Sequence, residues 1–506
     1  MTADATIVVT LDIGGSAAKA SGYDAAREAS LGMTAVRYPA APAGQDPGMF
    51  DPDGWWSAAV AALRGIRELL GEPAGRYLGI TVSAIRIPFV LVDGHGDAVM
   101  PGLLNRDRRA APNVEQVTSA IGAAGLYQLT GHWPAPEFGL PKLLWVRETC
   151  ADAWRAADKV LQLHDWFIYR LCGVLASERS SAAMSQLIDF SAGNWAGELL
   201  AALGISASLL PDLRPAGALA GPLRAEVAEA TGFAPGTPVH VGCGDSHMSA
   251  LSAVSADQGD AGPVVVAGTT APVMLIEPGA RLPADTGALF PLLLSEHAIA
   301  GRTALEANAG PTGSIADRLA DLPGQPGELA SELVTRGLQL ADGDGDELVV
   351  LAGNPFFGPD GWSKVPPPTV IGLRKGDSSD DVMRACLHGT CYAVRSMLDC
   401  IAQRRGGHRA QVTATGGMSR NSEWSQLLAD VAGRPVTVPA LDRVSGRGGA
   451  LLVTGQHGRQ PAGGRTYLPN PEAAAVHAAG AARYQRLYRA AQLETQDRLV
   501  TGARTR

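Results

Sequence analysis

Four times along this chain a short apolar run ends in a glycine-rich turn. Thr6-Ile7-Val8-Val9-Thr10-Leu11 closes in Asp12-Ile13-Gly14-Gly15-Ser16, with Lys19 just beyond. Pro238-Val239-His240-Val241 closes in Gly242-Cys243-Gly244-Asp245-Ser246. Pro263 to Ala267 closes in Gly268-Thr269-Thr270, and Gln411 to Thr415 in Gly416-Gly417-Met418-Ser419-Arg420-Asn421. Such a turn lets backbone N–H groups face phosphate oxygens without a Cβ in the way. Taken alone, the first one also reads as a β-hairpin with a tight Gly-Gly turn. Four of them, spread across both halves, suggest a nucleotide held between two domains. None fits GxxxxGK[ST] or GxGxxG, which disfavours a P-loop ATPase and a Rossmann dehydrogenase.

At 506 residues the chain is too long for one core, so two or more domains are expected. It is 46% hydrophobic and 18% charged, the balance of a soluble globular protein. A formal charge of -8 with no basic block argues against a nucleic-acid partner. The six cysteines, Cys150, Cys172, Cys243, Cys386, Cys391 and Cys400, form no CxxC pair and have apolar neighbours. They read as reduced, buried thiols. The N-terminal apolar run is short, has no basic stretch before it and ends in Asp12, so it reads as a strand and not a signal peptide. No run reaches the length of a membrane span. A cytoplasmic protein is expected.

The boundary between halves is placed near Ser255 to Gly262, giving domains 1–255 and 256–506. Asp53 to Leu70 has helical spacing, with Asp53 read as its N-cap. Strands at Leu78–Val82 and Phe89–Val92 flank Ser83-Ala84-Ile85-Arg86-Ile87-Pro88. An arginine on such a loop suits a hydroxylated or anionic ligand, or equally a surface ion pair. Asn105-Arg106-Asp107-Arg108-Arg109 can bond several hydroxyls, or be a solvated loop. His164 to Leu171 reads as a helix start, with His164 a packed or capping residue. Asp12 suits Mg²⁺ held through water. Lys19 either adds a charge nearby or simply sits on the next strand. Asp245 falls at a helix N-terminus, where an N-cap is the alternative to a functional carboxylate. Glu306 to Gly313 is read as the segment before a helix at Ser314–Leu322, Asp342 to Asp346 as an acidic turn, and Asp380 to Arg405 as a long helix.

In order and spacing, these segments resemble the FGGY carbohydrate kinases of the actin-like ATPase superfamily. The likeness covers nearly the whole chain, and Trp424 with Leu427-Leu428-Ala429-Asp430 extends the last segment. The resemblance implies an α/β protein of two ribonuclease-H-like domains closing over an interdomain cleft. It implies ATP-dependent phosphorylation of a hydroxyl on a sugar or polyol, with ATP and Mg²⁺ as cofactors. Asp245 matches the family's catalytic base and Asp12 its Mg²⁺ and phosphate aspartate. Gly14, Gly15 and Ser16 match the first phosphate turn, with Lys19 beside it, and Gly268, Thr269 and Thr270 match the second. Gly416, Gly417, Met418 and Asn421 match the adenine-ribose segment, joined by Gly313.

The chain also departs from the family. Gly15 stands where many members have Thr, and His388 where the central helix often has Glu. Relative to glycerol kinases, Arg86 matches the sugar-contacting arginine, but Ile87 replaces the glutamate after it. Relative to xylulokinases, Ile87 replaces a histidine. Asn105 stands where a tryptophan commonly sits, while Asp107 and Arg109 fit. Glycerol is thereby disfavoured, and a ketose such as a pentulose, or a related polyol, is the expected substrate. Arg86, Asn105, Asp107 and Ser246 are its expected contacts. A non-catalytic sugar or nucleotide sensor on the same fold is the alternative. A chaperone-type ATPase is disfavoured because no separate peptide-binding domain is visible. The expected partner is a small sugar or polyol, with no nucleic acid and no membrane, and a homodimer is left open.

Overall fold

The computed structural model describes residues 5–40, 44–71, 76–253, 262–268, 270–279, 292–311, 330–340, 348–351, 369–404, 407, 410–441, 444–459 and 461–502. Thr269, Gly313, the helix expected at Ser314–Leu322, the turn at Asp342–Asp346 and most of the boundary segment lie outside them.

The first apolar run is strand β1 (Ile7–Ile13), buried everywhere except at Asp12. It turns at Gly14–Ser16 into β2 (Ala17–Asp24), followed by β3 (Ala29–Arg37). The chain therefore makes a hairpin and a glycine turn at once. Lys19 sits on β2 directly opposite Asp12. Helix α1 (Pro52–Leu70) covers β2 and β3 with Trp55, Ala58, Ala59, Ala62, Leu63 and Ile66. Its N-cap is Asp51, not Asp53. The Asp51 carboxylate accepts the N–H groups of Asp53 and Gly54, and Pro52 takes the first helical position, where no N–H is needed. Beyond it come β4 (Tyr77–Ala84), α2 (Leu163–Cys172), β5 (Leu219–Pro222), β6 (Pro238–Gly244) and α3 (Asp245–Ala253). His164 is buried in the first turn of α2, its Nδ1 3.0 Å from Asp165 Oδ1. Asp165 and Gln162 form a reciprocal capping box there, which fixes where α2 starts.

The second half repeats the plan. Its strands are β7 (Val264–Val266), β8 (Thr270–Pro278), β9 (Leu293–Glu296) and β10 (Arg302–Pro311). After helix α4 (Ser379–Arg404) come β11 (Val412–Thr415), α5 (Ser422–Ala432), β12 (Val436–Pro439), α6 (Val444–Thr454), β13 (Gly464–Tyr467) and α7 (Pro471–Gly502). Glu306 lies inside β10, not in a connecting segment before a helix.

The first sheet has the order β5-β6-β4-β1-β2-β3 and the second β9-β10-β8-β7-β11-β12-β13. In the first, β1, β4 and β6 run parallel while β1-β2-β3 form an antiparallel meander. In the second, β7, β11 and β12 run parallel while β7-β8-β10 form the meander. An antiparallel edge strand closes the parallel side of each. The molecule is thus an α/β protein of two like-wound domains facing each other across a cleft.

Two helices join the halves. Helix α3 leaves the first sheet and packs on β7 and β11 of the second, while α6 of the second half packs on β1 and β4 of the first. They cross closely because α6 carries Gly448, whose Cβ would run into Met248 O of α3, and Gly449 lets α6 lie on the first sheet. A Cβ on Gly449 would overlap Thr10 Oγ1 and lie 2.8 Å from Thr81 Cγ2. A second joint forms where Leu293 and Leu294 of β9 pack against Ile87, Tyr127, Trp133, Phe138 and Met184 of the first half. There the Tyr127 hydroxyl donates to Leu292 O at 2.8 Å, and Leu294 N–H to Gly131 O at 3.0 Å. Among the described residues, no helix is long and apolar enough to cross a membrane.

Candidate functional site

In open α/β sheets, ligands bind outside the carboxyl ends of the parallel strands. Here those ends carry the acidic and basic residues singled out in the sequence. Asp12 is the penultimate residue of β1, with Lys19 across the hairpin on one side and Ser83 of β4 on the other. Arg86 follows β4 by two residues, and Asp245 follows β6 directly. Burial raises the Asp12 pKa above the usual carboxylate value, against the Lys19 charge and Ser83. Burial also pushes Asp245 up to about 6; Arg86 opposes this, while the Asp12 and Glu306 charges add to it. As residues, Asp12 and Asp245 are half-buried. The Ser246 backbone N–H donates to Asp245 Oδ1 at 2.7 Å.

Arg86 is the hub of a buried cluster. Its Nη1 donates to Glu306 Oε1 at 3.0 Å, and its Nη2 donates to Glu306 Oε2 and, at 3.1 Å, to Ser246 Oγ. Glu306 belongs to β10, so this ion pair crosses the cleft. His247 Nε2 lies 3.0 Å from Arg86 Nη1 and 3.0 Å from Glu306 Oε1. One nitrogen cannot serve both, so it either accepts from the arginine or donates to the carboxylate. His247 stacks on His297 with ring centroids 4.9 Å apart. Burial would raise the Glu306 pKa, but Arg86 and His247 hold it well below the usual carboxylate value. Burial pushes His132 down to about 4 and His297 well below an ordinary histidine, which keeps both neutral at pH 7.

Two local features aim Arg86. Gly244 leaves room for its stem, since a Cβ there would lie 2.5 Å from Arg86 Cδ. Ile87, the next residue, is buried with φ 89, a left-handed conformation that a β-branched side chain rarely adopts. Such strain, of order 1–3 kcal/mol, persists where the surroundings over-determine the backbone. The apolar joint around Ile87 supplies those surroundings.

The second polar loop is organised differently. Asp107 is buried, and its carboxylate is bonded by Arg109, with Nε 3.1 Å from both oxygens. Lys142 Nζ donates to Leu104 O at 2.6 Å and lies 3.4 Å from Asn105 O. Burial pushes that ammonium down to about 7. Asn105 is half-buried. Thus Arg86, Ser246 and Asp245 come together in one cluster. Asp107 is instead tied to Arg109, and the backbone on either side of Asn105 to Lys142.

Facing them are backbone turns. Gly268 N–H donates to Thr270 O at 2.9 Å, and Met418 N–H to Ala267 O at 3.0 Å, which laces the turns after β7 and β11 together. Gly416 has φ +98 and a Cβ there would run into Ala267 O, so only glycine serves. Asn421 caps α5 by accepting the Trp424 N–H at 2.9 Å. Gly14, Gly15 and Ser16 form the hairpin tip on the opposite wall, with Gly15 and Ser16 exposed. A Cβ on Gly15 or Gly417 would meet nothing within 4 Å. Internal packing therefore does not require glycine at either place, whereas close approach by a phosphate would. Among the described residues, no group of three or more His, Cys, Asp or Glu could hold a metal ion by itself. A single carboxylate at a strand end, as Asp12 is, is a donor that Mg²⁺ takes beside its waters and substrate phosphates.

Sequence reasoning assigned no role to Glu306, His247, His132, His297 or Lys142. One signal was available for Glu306: it is a lone charge in the apolar run Ala304-Leu305-Glu306-Ala307, where burial demands a partner. The partner, 220 residues away, leaves no local mark.

Comparison with known proteins gives consistent likenesses. Residues 7–252 match the N-terminal domain, and residues 263–454 the C-terminal domain, of the FGGY family of carbohydrate kinases. A xylulose kinase from Streptomyces rubiginosus is 28% identical over 418 residues, covering 80% of this chain and 79% of that protein. An autoinducer-2 kinase from Escherichia coli K12 is 25% identical over 511 residues, covering 95% and 94%. The crystal structure of a xylulose kinase from Rhodospirillum rubrum superposes with a TM-score of 0.77 at 25% identity, covering 97% of this chain and 100% of that one. That of a gluconate kinase from Lactobacillus acidophilus gives 0.80 at 18% identity, covering 97% and 99%, a likeness of fold. With both halves matched over most of the chain, the protein belongs to the FGGY family of carbohydrate kinases.

Proposed function

We propose that this protein transfers the terminal phosphoryl group of ATP to a hydroxyl of a small ketose, such as a pentulose, or a related polyol, with Asp245 as general base. The observation that carries this is the Asp245 carboxylate, raised to about 6 at the carboxyl end of β6 and sharing its surroundings with Asp12 and Arg86. A base with that pKa is mostly ionised at pH 7 and still takes up a proton readily, worth typically about 10²–10⁴ in rate. Asp245 orients the acceptor hydroxyl and takes its proton. Ser246 and Arg86 bound the acceptor side, and Asn105 and Asp107 belong to its outer loop. Phosphoryl transfer asks otherwise for positioning and for charge stabilisation on the phosphoryl oxygens. The turns at Gly14–Ser16 and at Gly268, Thr269 and Thr270 offer N–H donors for the phosphates, and Gly313, Gly416, Gly417, Met418 and Asn421 form the nucleotide side. Asp12 would hold Mg²⁺, which supplies countercharge to the phosphates when bound, and Lys19 adds to it. The similarity to xylulose kinases supports a ketose, and the departures at Ile87 and Asn105 leave its identity open. The cytoplasm suits the six cysteines, all unbridged.

Replacing Asp245 tests this directly. Asp245→Asn keeps ATP binding by calorimetry and lowers sugar-dependent ADP release by at least about 10²-fold across a panel of pentuloses, hexuloses and tetritols. Wild-type turnover by that variant would remove Asp245 from the reaction. Sugar binding by the wild type with no ADP release across the panel would favour a sensor instead.

A further inference from the structure

We infer that Glu306 determines the charge class of the acceptor: by neutralising Arg86 from across the cleft, it makes the site accept uncharged polyhydroxy compounds and reject sugar acids. The inference rests on the proposed kinase reading and adds a residue from the opposite domain to it.

An arginine beside the acceptor site would ordinarily invite a carboxylate, because its planar fork matches one in bidentate fashion. Here the fork is already filled. Glu306 bonds both terminal nitrogens and Ser246 takes another hydrogen, leaving two of the five guanidinium N–H groups, one of which points at His247 Nε2. The pair is largely dry, with 10% of the Arg86 side chain and 5% of the Glu306 side chain exposed. Around them lie the carboxylates of Asp12 and Asp245, with Lys19 opposite Asp12 on the neighbouring strand. His132 and His297, kept neutral by burial, add no charge. A sugar acid would therefore bring a negative charge to carboxylates beside an arginine whose charge is already cancelled. A neutral ketose meets hydrogen-bonding groups with no net charge to desolvate. The residue that decides this is on β10, so the acceptor preference is written partly in the domain that carries the nucleotide turns.

Removing the carboxylate without removing its bulk uncovers the arginine. Three proteins are compared: the wild type, Glu306→Gln, and the double variant Arg86→Gln with Glu306→Gln. Calorimetric titration with D-gluconate and with D-xylulose reads the preference. The Glu306→Gln protein gains at least about tenfold in affinity for D-gluconate relative to D-xylulose, the size of one uncovered charge in a partly dry site. The double variant loses that gain. A structural role alone would lower both affinities together. The acid limb of the rate–pH profile moves to lower pH in Glu306→Gln, because the uncovered guanidinium favours the ionised form of Asp245. If Glu306→Gln does not fold, Glu306→Met, of similar volume, carries the same expectation.

An unchanged preference in the single variant overturns the inference, as does a gain that survives in the double variant. A wild type that releases no ADP with any sugar would remove the kinase reading. The gluconate titrations would still decide the role of Glu306, since they need no turnover.

Discussion

At the carboxyl ends of β4 and β6 the chain places charged side chains held by other side chains. At the carboxyl ends of β7 and β11 it places backbone turns held by backbone. The strand order is the same in both domains apart from the added edge strand β9, and β1, the counterpart of β7, likewise ends in a glycine turn; the side-chain cluster is what the first domain adds at β4 and β6. The ligands to be held explain the contrast. A sugar hydroxyl is small and neutral and must be told from other hydroxyls, which takes directional side chains in a dry setting. A polyphosphate is the same on every nucleotide, and a row of N–H groups grips it without reading anything. One wall should therefore be sensitive to side-chain packing and pH, and the other indifferent to both.

Gly244 offers the largest test of that division. Its Cβ would press on the Arg86 stem, 2.5 Å from Cδ and 2.8 Å from Cγ, so Gly244→Ala should displace the guanidinium while leaving the turns opposite untouched. We expect kcat/KM for the sugar to fall about 10²-fold, the usual consequence of misplacing a positioning group by about 1 Å. The KM for ATP should stay as it was. Steady-state kinetics with each substrate varied in turn would check this. A loss seen chiefly in the ATP KM would mean that the two walls are not separate in function.

pH should divide the walls next. Asp245 is raised to about 6 by burial and by the charges of Asp12 and Glu306, against Arg86 and the Ser246 N–H. Its basic form is present above that value and is lost as pH falls through it. Turnover should therefore drop about tenfold for each unit below pH 6. ATP affinity, which leans largely on backbone N–H groups that do not titrate, should change less over the same range, with Asp12 the one raised carboxylate on its side. Measuring kcat and ATP binding in parallel from pH 5 to 8 would show whether only one of them bends.

The same contrast separates what could be read from the chain from what could not. The glycine turns were legible because a strand followed by glycines is a local pattern, and the second-half strands at Val264–Val266 and Val412–Thr415 fall where that pattern placed them. Asp245 was legible for the same reason, falling at the start of the helix after β6. The partners of Arg86 were not. Its pairing with Glu306 depends on how β10 of one domain meets the loop after β4 of the other, and nothing within a few residues of either encodes that. Glu306 looked instead like part of a segment leading to a helix. The N-cap of α1 failed on a smaller scale. Asp51 and Asp53 are both acids before an apolar repeat, and Pro52 between them, which belongs at the first helical position, decides for Asp51.

The smallest expected effect comes from the exposed tip of the β1–β2 hairpin. A Cβ at Gly15 meets nothing within 4 Å and the backbone there is not left-handed, so a larger residue should change stability by no more than about 0.5 kcal/mol. Gly15→Thr adds a hydroxyl donor to a turn that otherwise offers backbone N–H groups. Gly15→Val adds the same shape without the donor. If the turn faces phosphate, Thr should lower the ATP KM severalfold relative to Val, about the worth of one hydrogen bond to a charged group. The sugar KM should be equal in the two. Identical ATP KM values would place the phosphates out of reach of residue 15 and leave Gly14, Ser16 and the turn across the cleft to hold them. The open space above Gly15 would then need another explanation than close approach by a ligand.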